Sequence, residues 1–323
     1  MTSGRMSVVA LLALFFASGA AAQDFPNRHL TMVVPFAAGG PTDVLARHLA
    51  QAMGTTLKQQ IAVENVNGAG GTIGTARVAK AQPDGYTVLL MHIGIATAPA
   101  LYRKLPYDAN DLEPIGRVAD VPMTMVAKKT LPPNSLKEFL TYARANKDKL
   151  NYANAGVGSS SHLCGLLFMN KIGMDFNSVP YKGNAPAMTD LIGGQVDLMC
   201  DQTTNTTEQI RSGTIKVYGV TSNSRLSSMP DVPTLNEQGL KGFEVVAWYG
   251  LWAPKGTPKA ALDSLNHALQ TAVGDAAFGT RMADLGAVPA TAAQATPDSL
   301  RTFLKSEISS WGTVIKQAGI SPE

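Results

Sequence analysis

Two stretches of this chain carry the residue types that hold an anion through backbone groups. The first is VVPFAAGGPTDVLARHLAQAM (Val33–Met53), in which an apolar run stops at a proline and a glycine pair precedes a helical pattern. A strand, a tight loop and a helix start present free N–H groups to an anion. Phe36, Ala38, Gly39, Gly40, Thr42 and Asp43 are the candidate residues. Gly39 and Gly40 permit close approach of a ligand, and Pro41 suits the first helical position, where its missing N–H costs nothing. Thr42 or Asp43 is expected to cap the helix, and Asp43 to pair with Arg47 four residues on. Phe36 either stacks on a ligand or belongs to the core. The plain alternative is a strand–helix turn that binds nothing.

The second stretch is NYANAGVGSSSHL (Asn151–Leu163), with Gly156, Gly158 and three serines at a helix start. Its N–H groups and hydroxyls suit another anionic or polar group, unless the serines only cap the helix. One such loop in each half of the chain would grip a small carboxylate from two sides. A third glycine loop, NGAGGTIGTA (Asn67–Ala76), reads as structural, packing helix against sheet. None of these is Gly-x-Gly-x-x-Gly, and no Gly-Lys-Ser/Thr of a phosphate-binding P-loop occurs.

The parts of an enzyme are missing from the sequence. There is no His-Glu-x-x-His, no Gly-x-Ser-x-Gly and no Ser-x-x-Lys. The five histidines, at 29, 48, 92, 162 and 267, lack metal-ligand spacing. His162 follows Ser159–Ser161, but a local Ser-x-x-His is no triad, since the fold sets catalytic partners. It is expected in the first turn of its helix, lining the cleft or capping locally. Asp197 and Asp201 read as a cap and a cleft residue in preference to an acid–base pair. No cofactor and no metal site is expected.

Strand-like runs alternate with helical patterns to position these residues. Leu30–Phe36 reads as a buried strand, Thr42–Leu57 as a helix, IAVENV as a strand, Gly71–Ala81 as a helix and YTVLLMHI as a strand. The middle repeats the alternation: PMTMVAKK, a helix over Ser135–Asn146, LNYANAG, a helix over Ser159–Ile172, SVPYKG, a helix over Ala185–Ile192, and QVDLMCD. A helix near Thr206–Arg211, the strand IKVYGVT and a proline-spaced loop lead to VVAWYGLWAPKG. Helices close the chain over Pro258–Val273, near Phe278–Leu285 and over Pro297–Ala318. The alternation argues for parallel βαβ units. The fold class expected is α/β: two doubly wound α/β lobes with a ligand cleft at the hinge, where strand ends face each other. The lobes are expected over 23–122 plus 250–323 and over 123–249, with hinges near Val121–Met123 and Trp248–Gly250.

At 323 residues, 45% apolar and 16% charged, the chain suits a globular protein of about two domains. Ser7–Ala20 is an apolar run behind Arg5, followed by Ala20-Ala21-Ala22. That is the pattern of a cleaved secretory signal peptide over residues 1–22, too short to span a membrane. The mature chain is expected to begin near Gln23, with no lipid-anchor cysteine and no later membrane span. A net charge of +3 without a basic run argues against nucleic acid. Cys164 and Cys200 either form a disulfide, as an oxidising compartment favours, or stay as buried free thiols.

The motifs VPFAAGGPTD with LAR, GAGGTIG, PDGYT, YANAGVGSSSHL, VPYKG, DLIGGQVDL and APKGTP fall in order along almost the whole mature chain. In combination they resemble the substrate-binding proteins of tripartite tricarboxylate transporters, the Bug proteins. The resemblance implies the type II-like fold of periplasmic binding proteins, a monomer in the periplasm, and a small carboxylate (a dicarboxylate, an amino acid or an aromatic acid) passed to a membrane permease. It implies that Phe36–Asp43 and Asn154–His162 hold a ligand carboxylate, which adds Asn154, Ala155, Gly158, Ser159, Ser160 and His162 to the candidates. Lys182 of YKG, Asp201 and Thr97 join them on the same ground. An exported enzyme on a similar ligand and a receptor that feeds a sensor remain the other readings.

Overall fold

The computed structural model describes residues 25–322. The signal peptide expected over residues 1–22 lies outside them, as does the expected start near Gln23. In chain order the elements are β1 (Leu30–Val34), α1 (Pro41–Leu57), β2 (Ile61–Asn65), α2 (Thr72–Ala79), β3 (Thr87–His92), α3 (Gly94–Leu101), β4 (Leu112–Lys128), α4 (Leu136–Asn146), β5 (Asn151–Asn154), α5 (Ser160–Ile172), β6 (Asn177–Pro180), α6 (Asn184–Ile192), β7 (Leu198–Gln202), α7 (Thr203–Arg211), β8 (Ile215–Val220), β9 (Val246–Pro254), α8 (Lys259–Val273), α9 (Ala276–Asp284), β10 (Val288–Pro289) and α10 (Pro297–Gln317). Among the described residues no helix is long and apolar enough to cross a membrane.

The strands run β2-β1-β3-β9-β4-β7-β5-β6, with β8 and β10 both on β4. Two parallel groups, β2-β1-β3 and β7-β5-β6, are the cores of the two lobes. They follow from the sequence: LTMVV is apolar on both faces, as a strand covered by helices on both sides must be. The parallel expectation stops there. β4, β8, β9 and β10 pair antiparallel. β4 is also longer than the strand expected at PMTMVAKK. Its first part, Leu112 to Pro122, pairs with β9, and from Met123 it pairs with β7 and β8. One buried strand thus serves both lobes. β9 returns the chain to the first lobe, pairing with β4 from Val246 onward.

The core follows these sheets. Leu30, Met32, Val33, Leu45, Leu49, Leu89 and Trp252 are buried under the first lobe's helices, and Phe139, Tyr152, Phe168 and Tyr218 under the second's. Each such side chain contributes on the order of 1.5–3 kcal/mol. Helix starts obey local chemistry. Ser135 caps α4 by accepting from Glu138 N at 3.2 Å, and Ser159 caps α5 by accepting from His162 N at 3.2 Å. Cys164 on α5 and Cys200 on β7 are joined by a disulfide with Cα atoms 6.1 Å apart. It ties the helix behind the second loop to the strand that ends beside Asp201.

Candidate functional site

The first loop is built differently from its sequence reading. Gly40, in extended backbone, is the N-cap of α1 and supplies no side chain, so neither Thr42 nor Asp43 is the cap. The reason is register: Pro41 takes the first helical position and carries both residues into the first turn. Asp43 turns back instead and accepts from Gly39 N at 2.9 Å. Its other partners are Arg47, at 2.9 Å to each oxygen, and Asn65 at 3.0 Å. Burial alone would raise this carboxyl, but the Arg47, Gly39 and Asn65 donors outweigh it and hold it below the ordinary value. The positive end of α1 acts in the same sense. Thr42 bonds the Tyr249 hydroxyl at 3.0 Å. Phe36 is buried and stacks on His92, centroids 4.8 Å apart. Ala38 and Gly39 are exposed at the loop tip.

The second loop is held by hydroxyls and one amide. Asn154 Oδ1 accepts from Gly156 N at 2.9 Å, and Ser161 Oγ from Ala155 N at 2.9 Å. Ser159 and Ser161 share a hydrogen bond at 3.1 Å. His162 sits in the first helical turn and accepts from Gly158 N at 3.4 Å. Burial lowers His162 to about 4 and His92 to about 3, so both rings are neutral at neutral pH. Among the described residues, the N–H groups of Ala38 and Thr42 in the first loop, and of Ser160 and Ser161 in the second, find no acceptor in the protein. Such groups need a partner when buried.

Two more helix starts join these. α6 begins at Asn184, and a Cβ at Gly40 would lie 3.6 Å from Ala185 N, which sets the starts of α1 and α6 side by side. α7 begins at Thr203, directly after β7. Asp201, fully buried, accepts from Asn184, from Gln202 N at 2.7 Å and from Asn205 at 2.6 Å, and so connects α6 to α7. Burial pushes the Asp201 carboxyl up to about 7, with these three donors opposing it. Asp197 lies at the other end of β7, pairing with Lys128 at 2.7 Å and accepting from Asn151 N. The two carboxylates therefore form no acid–base pair.

A polar chain crosses between the lobes. Thr42 on α1 bonds Tyr249 on β9; Tyr249 donates to Gln202 Oε1 at 2.7 Å; Gln202 Nε2 donates to Ser160 at 3.0 Å on α5. The starts of α1, α5, α6 and α7 are thus brought together by four side chains and one buried carboxylate. Each helix start carries about half a positive charge, so the cluster suits an anion and needs no cationic side chain. Lys182 touches it through its carbonyl, which accepts from Ala37 N at 3.3 Å; its side chain is exposed. Thr97 is fully buried and reaches Gly158 O only at 3.5 Å. Among the described residues, no group of three His, Cys, Asp or Glu side chains is placed to hold a metal ion.

Sequence reasoning missed Tyr249, Gln202, Asn184 and His92. Tyr249 and Gln202 lie in apolar strands whose pattern announces only burial. A polar residue at the C-terminal end of LMCDQ, just ahead of a helix, was the available signal for Gln202.

Two α/β lobes that share long strands, with helix starts from both brought side by side, define a two-lobe solute-binding fold. The chain belongs to the tripartite tricarboxylate transporter family receptor family, whose model matches residues 45–320. It is similar to the periplasmic binding protein BugD, at 52% identity over 93% of this chain and 100% of that one, with a TM-score of 0.91. It is also similar to MatC from Rhodopseudomonas palustris with bound malate, at 42% identity, 90% and 100% coverage and a TM-score of 0.86. A second R. palustris protein, with adipate, is 34% identical over 93% and 100%, with a TM-score of 0.88.

Proposed function

We propose that this chain is a periplasmic receptor that captures a small dicarboxylate between its lobes and delivers it to the membrane permease of a tripartite tricarboxylate-type transporter. It acts as a monomer and performs no chemistry on its ligand. The observation that carries the reading is the joining of four helix starts, from both lobes, by one hydrogen-bonded cluster. Malate and adipate bound to relatives favour a dicarboxylate over an amino acid or an aromatic acid. The signal-peptide pattern and the periplasmic relative BugD support the compartment.

In this reading the carboxylates meet backbone N–H groups and hydroxyls of Phe36–Asp43 and Asn154–His162, with Thr97, Lys182 and Asp201 at the margins. The lobes are residues 23–122 with 250–323, and 123–249. They hinge at Val121–Met123, where β4 exchanges partners, and around Trp248–Gly250 in the first part of β9. A receptor needs a ligand that binds the closed state better than the open one, and an acid bridging two lobes supplies that difference.

The test is a thermal-shift screen of the purified mature chain with mono-, di- and tricarboxylates, acidic amino acids and aromatic acids. An acid at 100 times its Kd adds about 2.7 kcal/mol, a readily measured rise in Tm. A dicarboxylate that raises Tm and is recovered intact supports the receptor. An acid consumed over time would make the chain an enzyme, and the absence of any shift after refolding from denaturant would end the carboxylate reading.

A further inference from the structure

The lobes also meet at a second contact. There the carbonyl of Val157, in the loop between β5 and α5, lies against Gly70, in the turn between β2 and α2. A Cβ at Gly70 would stand 1.6 Å from Val157 O. Tyr102, which ends α3, reaches into this contact. Its hydroxyl is 2.5 Å from Val157 O and 2.8 Å from Ala69 O. Its ring edge lies where a Cβ at Gly158 would come within 3.0 Å.

Both oxygens are carbonyl acceptors, while a phenol has one proton to give. Ala69 and Tyr102 belong to the first lobe and Val157 to the second. The hydroxyl therefore donates to Ala69 O when the lobes part and shares its one proton with Val157 O when they meet, so closing gives Val157 O a donor in place of water. Val157 sits two residues before Ser159, so whatever holds its carbonyl also holds the second loop against the first lobe.

We propose that Tyr102 is the latch of the closed receptor, a positioning residue that slows ligand release without touching the ligand. The proposal rests on the receptor reading above. Without the hydroxyl, Val157 O would close against Gly70 having lost its donor, a cost borne by the closed state, so the loss should appear in the release rate and not in the encounter.

The experiment compares wild type with Tyr102→Phe, using radiolabelled malate. Release is followed by rapid filtration after a chase of unlabelled malate, Kd is taken from equilibrium dialysis, and association from their ratio. Loss of one such hydrogen bond changes an equilibrium about fivefold. The expected result is release about fivefold faster with association unchanged, and at most a small fall in the Tm of the unliganded protein from the lost bond to Ala69 O. Unchanged release overturns the latch. A fall in both unliganded Tm and association also overturns it, by making Tyr102 merely structural. Wild type that fails to bind malate removes the receptor reading for this acid, and the latch with it.

Discussion

In the first lobe a buried carboxylate, Asp43, is held at a helix start by a guanidinium. In the second lobe a buried carboxylate, Asp201, is held beside a helix start by amides alone. Asp43 fixes the first loop and Asp201 the starts of α6 and α7, yet their electrostatics are opposite. Arg47 compensates the Asp43 charge, and the carboxyl is held down. Among the described residues nothing cationic does so for Asp201, and burial lifts it to about 7. The second lobe makes up for this covalently: its loop is backed by the Cys164–Cys200 disulfide, while the first loop has an ion pair and a proline. The helix starts of the two lobes are therefore stabilised under different conditions. Acid attacks the first, and reductant or alkali the second.

The largest expected effect comes from Gly70→Ala. Gly70 has φ +59°, and its Cβ would overlap the Val157 carbonyl, so the methyl holds the lobes apart along the latch edge. Malate binding by calorimetry should become undetectable. The left-handed backbone adds a stability cost of about 1–2 kcal/mol, leaving the chain folded. Retained affinity would show that the two lobes need not meet here.

Reduction of the disulfide, or paired Cys164→Ser and Cys200→Ser substitution, comes next. The bond closes a 36-residue separation, which the chain-entropy model values at about 3–4 kcal/mol. Urea unfolding should show that loss. The account places it in the second lobe, so amide exchange should rise in α5 and β7 before β1 and α1. Uniform loss across both lobes would erase the contrast.

The two aspartates separate by pH. The folded pKa of Asp43 is lowered below 3.8, so its contribution is present above that value and is lost as pH falls through the folded pKa. The folded pKa of Asp201 is raised from 3.8 to about 7, so its contribution is present below 3.8 and is lost as pH rises through 7. In Tm measured from pH 3 to 9, Asp43→Asn should flatten the acid limb. Asp201→Asn should flatten the slope between pH 4 and 7, while lowering Tm throughout by placing an amide donor among three donors. Identical profiles for the two variants would contradict the assigned difference.

The smallest effect is Ser160→Ala, which removes the acceptor of Gln202 Nε2 at one end of the cross-lobe chain. A net contribution of about 1 kcal/mol predicts a fall in Tm of a few degrees and a malate Kd weakened by no more than about fivefold. A hundredfold loss would mean that the serine does more than end the chain.

Much of the frame was legible because its signals are local. The glycine loops, the Ser135 and Ser159 caps and the parallel strands around LTMVV and NYAN all declare themselves within a few residues. What stayed hidden is long-range or self-contradictory in sequence. α3 contains Pro99 and follows a strand without a polar break, so its start reads as more strand. The first part of β4 lies in a stretch, LEPIGR, whose proline and charges speak against a buried strand, and only pairing with β9 makes it one. The Thr42–Tyr249 bond spans 207 residues. Asp43 looks like a cap by type, and only the register imposed by Pro41 moves it into the first turn.

The central claim is that a dicarboxylate is held between the lobes and closes them. Small-angle X-ray scattering of the mature protein, with and without saturating malate and alongside a calorimetric titration, tests it most directly. The account predicts stoichiometric binding and a smaller radius of gyration in malate, with the contraction abolished in Gly70→Ala. Stoichiometric binding to wild type with an unchanged scattering profile would place the acid on one lobe alone and contradict it.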